Sequence, residues 1–305
     1  MNIAITGGNG FIGSHLKSMI KNMGHNVILI SRKKNQNIEN SFSFEEFFSQ
    51  KISVKIDCFI HLASPKQEFS NDFLLKEGIT NLTSKILKAL LKYDCKKFIF
   101  FSSAKVYGEP SIRQNLFSED SKVEPITDYG KEKLKAEKLI ISYAMDHDLD
   151  YLIYRLPMVY GSNENSNIYK LLKLIKKSLP MILFCKTNYL KKSLISIENI
   201  KLYIKTNIQN TDTINKNIFN IADNEALTFS DLIHGYKNVV NSKSVIIFLP
   251  FFLLNFFVKV PKLKDIFLKL YGGFEIQTTK INNLYNIEPR DTLEQLSKEN
   301  IQWTD

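Results

Sequence analysis

Cysteine, proline and glycine are all sparse in this chain. Its three cysteines, Cys58, Cys95 and Cys185, form no CxxC pair and no metal-ligand spacing. That argues against a disulfide-stapled secreted fold and a zinc module, and it fits free thiols in a reducing cytoplasm. No metal site is expected. Eight prolines and 12 glycines are too few for a collagenous or low-complexity chain. A localised basic arm with interleaved aromatics is missing as well. The net charge is +10, but the lysines are scattered among asparagine and isoleucine, so nucleic acid is not the expected partner. An anionic small substrate, or biased base composition of the gene, accounts for the surplus. Long apolar runs are also lacking. The longest, Val245 to Val260, has 16 residues interrupted by Pro250, Asn255 and Lys259, whereas a membrane span needs about 20. It reads as a buried strand ended by Pro250 and then a core helix, with membrane contact through its Phe-rich face the weaker alternative. No leader precedes the first strand, so the expected location is the cytoplasm.

What is present is concentrated at the start. Ile3 to Ile5 is a short apolar run that feeds Gly7-x-x-Gly10-x-x-Gly13. A helical stripe of Ile12, Leu16, Ile20 and Met23 follows, and Gly24 closes it. Strand, glycine turn and helix in that order form a dinucleotide-binding fingerprint. The first glycine takes a backbone angle that other residues resist, the second admits a pyrophosphate, and the third lets helix and strand pack closely. Amides at the helix N-terminus then face the phosphates.

The alternation continues along the chain. Strands are expected at His25–Ser31, Asp57–Ala63, Lys97–Ser102, Tyr151–Arg155 and Phe219–Ala222. Between them helices are expected over Leu74–Tyr93, where Leu75, Ile79, Leu82, Ile86 and Leu90 form one apolar stripe, and over Asp128–Asp146. This spacing predicts an α/β fold, a Rossmann doubly wound parallel sheet with a smaller C-terminal substrate-binding region. The expected division gives residues 1–160 to the nucleotide-binding domain, with about 193–222 returning to it. Residues 161–192 and 223–305 then form the substrate region. Within these, Ser166–Lys177 reads as an amphipathic helix, and Lys191–Ile200 as a segment rejoining the sheet.

Three local patterns carry chemistry. After the second strand come Ser31, Arg32, Lys33 and Lys34, with no acid until Glu39. A carboxylate there would hold a ribose hydroxyl, whereas cations suit a 2′-phosphate, so NADP(H) is favoured with NAD(H) as the alternative. Ser102 and Ser103 lie at the carboxyl end of a strand, where ligands bind in open α/β sheets. Tyr129 and Lys133, four apart on a helix, share one face. An ammonium beside a phenol is expected to stabilise the phenolate and bring proton exchange toward neutral pH. His61 reads as a packed histidine, and His15, His25, His147 and His234 have no triad or metal partners.

These segments resemble the extended short-chain dehydrogenase/reductases, the NAD-dependent epimerase/dehydratase group that modifies sugar nucleotides. The resemblance rests on TGGNGFIG (Thr6–Gly13), HLAS (His61–Ser64), FSSAKVYG (Phe101–Gly108), YGKEK (Tyr129–Lys133) and RLPMVYG (Arg155–Gly161). It implies a catalytic trio of Ser103, Tyr129 and Lys133, supported by Asn81. It also implies cofactor contacts for Phe11, Ile12, Leu62, Ala63, Ser64 and Pro157. With the local patterns above, the expected cofactor site also takes in Gly7, Gly10, Gly13, Ser31, Arg32, Ser102, Tyr129 and Lys133. Substrate contacts are implied for Ser103 and for Lys192, which stands where the family's diphosphate-clasping arginine is usual. The chain departs from the pattern in NSFSFEEFF (Asn40–Phe48), where an adenine-contacting Asp-Leu is frequent, and in Glu198-Asn199, where an aspartate is frequent.

The resemblance implies an enzyme acting on a nucleotide sugar. RLPMVYG and KKSLISIEN resemble members of O-antigen synthesis that act on UDP-2-acetamido-2,6-dideoxy-4-keto-hexoses. Arg32 makes a 4-keto reductase the first reading, because a net reduction draws on the NADPH pool whereas an epimerase regenerates its cofactor in each cycle. A UDP-sugar 4-epimerase with retained NAD is the alternative. A non-catalytic Rossmann scaffold is the remote one. Ala104-Lys105 after Ser103 argues against a 4,6-dehydratase. A homodimer through the Tyr129 helix is left open.

Overall fold

The computed structural model describes residues 1–38, 40–64, 78–161, 167–210 and 216–299. Glu39, Leu74, Leu75 and Ser166, named above, lie outside them. The chain divides into two units. The first takes Met1–Gly108, Val123–Arg155 and Ile204–Phe219, and the second Glu109–Lys122, Leu156–Tyr203 and Asn220–Asp305.

In the first unit, seven strands lie side by side: β1 (Asn2–Thr6), β2 (Asn26–Ser31), β3 (Ser41–Ser43), β4 (Cys58–His61), β5 (Lys97–Ser103), β6 (Asp150–Leu156) and β7 (Asn217–Asn220). Their spatial order is β7-β6-β5-β4-β1-β2-β3. Pairing is parallel from β3 through β2, β1 and β4 to β5, with Ile5 opposite both Leu29 and Ile60. The order reverses between β1 and β4, and that switch point is where doubly wound sheets open a ligand crevice. The strands read as continuous apolar runs because parallel sheets are covered on both faces. Ile28, Phe59, Phe98 and Ile153 are fully buried in one cluster with helices α2 (Phe44–Phe48), α3 (Ile79–Leu90) and α4 (Asp128–Asp146), and helix α1 (Phe11–Asn22) buries Leu16 and Ile20. The expected stripe of α3 is correct where it is described: Ile79, Leu82, Ile86 and Leu90 are all buried. Asn40–Phe48 supplies β3 and α2, which begins with a reciprocal cap between Ser43 and Glu46.

The second unit holds a separate core around Tyr160, Leu172, Leu183, Ile233, Tyr236 and Leu254. Two expectations change here. Lys191–Ile200 does not rejoin the large sheet. Leu194–Ser196 pairs in parallel with Met158–Tyr160, and Lys191–Lys192 pairs antiparallel with Leu227–Thr228. Nor is the Val245–Val260 run a buried strand and core helix. Ile246–Leu249 forms a two-stranded ribbon with Met181–Phe184, and in the helix Phe251–Phe257 only Leu254 is buried. Ile182, Ile247 and Phe248 of this ribbon are exposed. Among the described residues no helix is long and apolar enough to cross a membrane.

Candidate functional site

The glycine loop has the geometry its spacing predicts. Gly7 has φ +73°, and a Cβ there would stand 2.9 Å from the amide nitrogen of Ala63, in the loop after β4. Ala63 N donates to Thr6 Oγ1 at 3.2 Å, which fixes that loop against the end of β1. A Cβ on Gly13 would fall 2.2 Å from the Gly7 carbonyl oxygen, so α1 can sit this close only with glycine. At Gly10 the nearest atom to such a Cβ is 3.2 Å away, and the position is exposed. Gly10 is the N-cap, offers no side-chain cap, and no acid lies in the first turn of α1. The amides of Phe11 and Ile12 therefore face outward with no acceptor of the helix's own. A dinucleotide pyrophosphate fits this cradle.

Below it, His61 ties the switch point together. Its Nδ1 pairs with Thr6 Oγ1 at 2.7 Å and its Nε2 with Thr83 Oγ1 at 3.2 Å. Burial, reinforced by the charge of Lys133, lowers His61 to about 3, so the ring is neutral and structural. Leu62 and Ser64 flank buried Ala63 at the mouth of the loop. At the end of β2, Ser31 Oγ donates to the Lys33 carbonyl at 2.6 Å and Arg32 is exposed. Lys34 is drawn to α2, 3.8 Å from Glu46 and over the Phe42 ring.

Ser103, Tyr129 and Lys133 come together at the carboxyl end of β5. Gly130 makes this approach feasible, because a Cβ there would meet the Lys105 carbonyl oxygen at 2.7 Å. The first turn of α4 is thereby seated on the turn Ala104–Val106, which Ser103 caps by accepting from Lys105 N at 3.3 Å. Lys133 Nζ lies 5.8 Å from the Tyr129 ring centroid and 4.7 Å from that of Phe100, and it donates to the Phe101 carbonyl at 2.7 Å. One electrostatic expectation is corrected. Burial raises the Tyr129 phenol above its ordinary value, with the hydroxyls of Ser64 and Ser103 pulling the other way. The ammonium is committed to a carbonyl rather than to the phenolate, and burial pulls it down to about 7 although Glu137 opposes the fall.

Behind the trio is a buried network. Ser102 Oγ donates to Glu137 Oε1, which also accepts from Arg155 Nε at 3.1 Å. Arg155 Nη2 reaches Glu137 Oε2 at 2.6 Å, and Nη1 reaches Tyr107 Oη at 2.9 Å. The Ser102 hydroxyl thus points into the protein. Asn81 is exposed on α3, two positions past the buried Ile79.

In the second unit, Pro157 separates β6 from the strand Met158–Tyr160. Lys192 lines a cavity of about 460 Å³ with Met158, Leu194, Leu227, Thr228 and Phe229 among its walls. Its ammonium donates to the Lys269 carbonyl, and burial lowers it to about 8. Asn199 donates to Asp223 Oδ1 at 2.7 Å, so the departure at Glu198-Asn199 is absorbed by a buried hydrogen-bonded pair.

A family model described as the NAD dependent epimerase/dehydratase family matches residues 3–222. The chain belongs to this family. Among its relatives are a UDP-glucose 4-epimerase of Vibrio cholerae, 25% identical over 99% of this chain and 94% of that protein. Another is a putative UDP-glucose 4-epimerase of Methanocaldococcus jannaschii, 30% identical over 53% of this chain and 57% of that one. Of solved structures, UDP-N-acetylglucosamine 4-epimerase from Bacillus cereus superposes with a TM-score of 0.78 at 19% identity, covering all of both chains. A Bacillus cereus UDP-glucuronic acid 4-epimerase variant, solved with a UDP-sugar and NAD, gives 0.74 at 20% identity, covering 99% of this chain and 98% of that one. These structural likenesses establish the α/β fold with its parallel central sheet.

For this epimerase/dehydratase chain, sequence reasoning missed Glu137, Arg155 and Tyr107 as a unit. A signal existed: Glu137 follows Lys133 by four residues, which puts it on the same buried face of α4.

Proposed function

We propose that the chain is an NADP(H)-dependent reductase acting at C4 of a UDP-linked 4-keto sugar. The substrate class is UDP-2-acetamido-2,6-dideoxy-4-keto-hexose, used in the cytoplasm for bacterial surface polysaccharide. The observation that carries this reading is the run Ser31, Arg32, Lys33 and Lys34 after β2, with Arg32 exposed and no carboxylate among them. Cations there suit a 2′-phosphate. A net reduction draws on NADPH, whereas an epimerase regenerates its cofactor in each cycle. Reducing a ketone also requires a proton for the carbonyl oxygen, and burial raises the Tyr129 phenol, which keeps it an acid.

Gly7, Gly10, Gly13 and the amides of Phe11 and Ile12 hold the pyrophosphate, while Ser31 and Arg32 receive the adenosine 2′-phosphate. Leu62, Ala63 and Ser64 contact the cofactor beyond the glycine loop, and Pro157 is assigned to it by resemblance alone. Bound there, the nicotinamide cofactor supplies the hydride. Ser103 Oγ donates to the substrate O4 and orients it. Tyr129 Oη gives O4 its proton, a general-acid step that contributes roughly 10²–10⁴-fold. Lys133 holds a ribose and, once freed from the Phe101 carbonyl, shares its proton with Tyr129. Lys192 meets the diphosphate of the nucleotide sugar, an anion that favours its charged form.

A second reading, a UDP-sugar 4-epimerase with retained NAD, is favoured by the names of relatives such as the Vibrio cholerae enzyme. The two separate cleanly. Incubation with the 4-keto substrate and NADPH should consume cofactor in proportion to a 4-hydroxy product identified by NMR. Interconversion of UDP-glucose or UDP-N-acetylglucosamine with its C4 epimer, without added cofactor, would instead establish the epimerase.

A further inference from the structure

The positive charge of this chain is not spread as evenly as its sequence suggests. Two segments of the second unit, residues 167–192 and 243–271, carry 12 lysines, one aspartate and no other charged residue. The remaining 250 residues hold 29 basic against 30 acidic side chains, so these two segments account for the whole surplus. The same segments contain 11 of the 19 large hydrophobic side chains that are exposed among the described residues.

These residues lie on adjoining elements. Met181–Phe184 pairs in parallel with Ile246–Leu249, and Ile182 is the register partner of Ile247, both exposed. Pro250 leads directly into the helix Phe251–Phe257, whose Phe252 and Phe256 are one turn apart and 67% and 61% exposed. The following helix, Pro261–Tyr271, is tied on by Phe257 stacked on Phe267 at 4.7 Å, and Phe184 contacts both rings. Lys259 and Lys264 are exposed on this same stretch. Setting aside Lys170, Lys192 and Lys269, which line the cavity, nine lysines still face one aspartate.

We infer that this face is a docking surface for an anionic lipid bilayer. Exposed phenylalanine and isoleucine enter the headgroup boundary, while lysines reach anionic headgroups with their stems along the apolar surface. The charge argues against a second copy of the chain as occupant, since a two-fold contact would set lysine against lysine. It argues against nucleic acid too: the segments contain no arginine, and exposed aliphatic side chains gain nothing from a phosphate backbone. The surface is peripheral, since no described helix spans a membrane. This inference does not depend on the reductase reading.

The test is co-sedimentation of the full chain with vesicles of phosphatidylcholine, alone or with about one third phosphatidylglycerol. Binding is expected to the anionic vesicles only, and to fall as salt is raised. Phe252→Asp with Phe256→Asp should weaken partitioning by about tenfold or more. Lys259→Glu with Lys264→Glu should do the same by removing charge from exposed positions. Both variants should keep the wild-type melting temperature and turnover. Equal sedimentation with neutral and anionic vesicles, or unchanged binding by both variants, would overturn the inference. So would a wild-type dimer in light scattering that the Phe252/Phe256 variant converts to monomer while vesicles bind neither form.

Discussion

Arg155 donates to both oxygens of Glu137 inside the first unit, where their side chains are only 5% and 1% exposed. This pair sits directly behind the proposed proton donor, because Glu137 also accepts from Ser102 and shares the buried face of α4 with Lys133. Breaking a buried ion pair from one side leaves an uncompensated charge, at a cost of roughly 3–5 kcal/mol. Glu137→Gln should therefore lower unfolding stability by about that amount in urea titration. A loss below about 1 kcal/mol would mean that water or another group satisfies Arg155.

Tyr129→Phe keeps the ring and removes the transferable proton. Turnover should fall by roughly 10²–10⁴-fold. Cofactor affinity, followed by fluorescence titration, should be retained. Near-normal turnover would remove Tyr129 from the proton path.

Acid sensitivity should come from His61. Its folded value is lowered to about 3 from an ordinary 6.5. Between these limits the unfolded chain binds the extra proton and the folded one does not, so stability rises with pH across that window. Lys133, lowered to about 7 from 10.5, adds a second rise in the same sense above neutrality. The slope through the acid window should approach roughly 1.4 kcal/mol per pH unit from His61 alone. Urea midpoints for wild type and His61→Gln at a series of pH values check this. A variant as steep as wild type would assign the acid sensitivity to other groups.

Gly13→Ala tests the loop by sterics alone. The added methyl would lie 2.2 Å from the Gly7 carbonyl oxygen, a backbone atom that cannot yield without moving α1 from β1. Overpacking of this kind costs about 1–3 kcal/mol. The melting temperature should drop and cofactor titration should weaken together. A fully stable variant with unchanged affinity would show that the loop relaxes elsewhere.

Much of this was legible from residues alone, for a definable reason. The glycine triplet, the α3 stripe and the Tyr129/Lys133 spacing are local patterns, and each appears in the first unit where its period predicted. What failed was relational. Leu194–Ser196 looks like any short buried strand, and nothing local says that its partner is Met158–Tyr160 and not the large sheet. The apolar run at Val245 reads as core because composition does not reveal that Ile247, Phe248, Phe252 and Phe256 stay exposed. Lys133 was expected to serve Tyr129, but the nearby Phe101 carbonyl competes for its ammonium, a contact no spacing could disclose.

The claim of net reduction with NADPH is tested most directly at Arg32. This side chain is exposed immediately after β2, and positions 31 to 34 carry no carboxylate. Charge-assisted hydrogen bonds to a 2′-phosphate contribute about 1.5–3 kcal/mol, or roughly 10- to 150-fold in preference for NADPH over NADH. The measurement is kcat/KM for both cofactors with the 4-keto substrate, on wild type and on Arg32→Asp. The account predicts a wild-type preference for NADPH of that size and its reversal in the variant, where a carboxylate repels the phosphate and accepts from a free ribose hydroxyl. Equal use of NADH and NADPH by wild type, unchanged in the variant, would contradict it and move the NAD-retaining epimerase ahead.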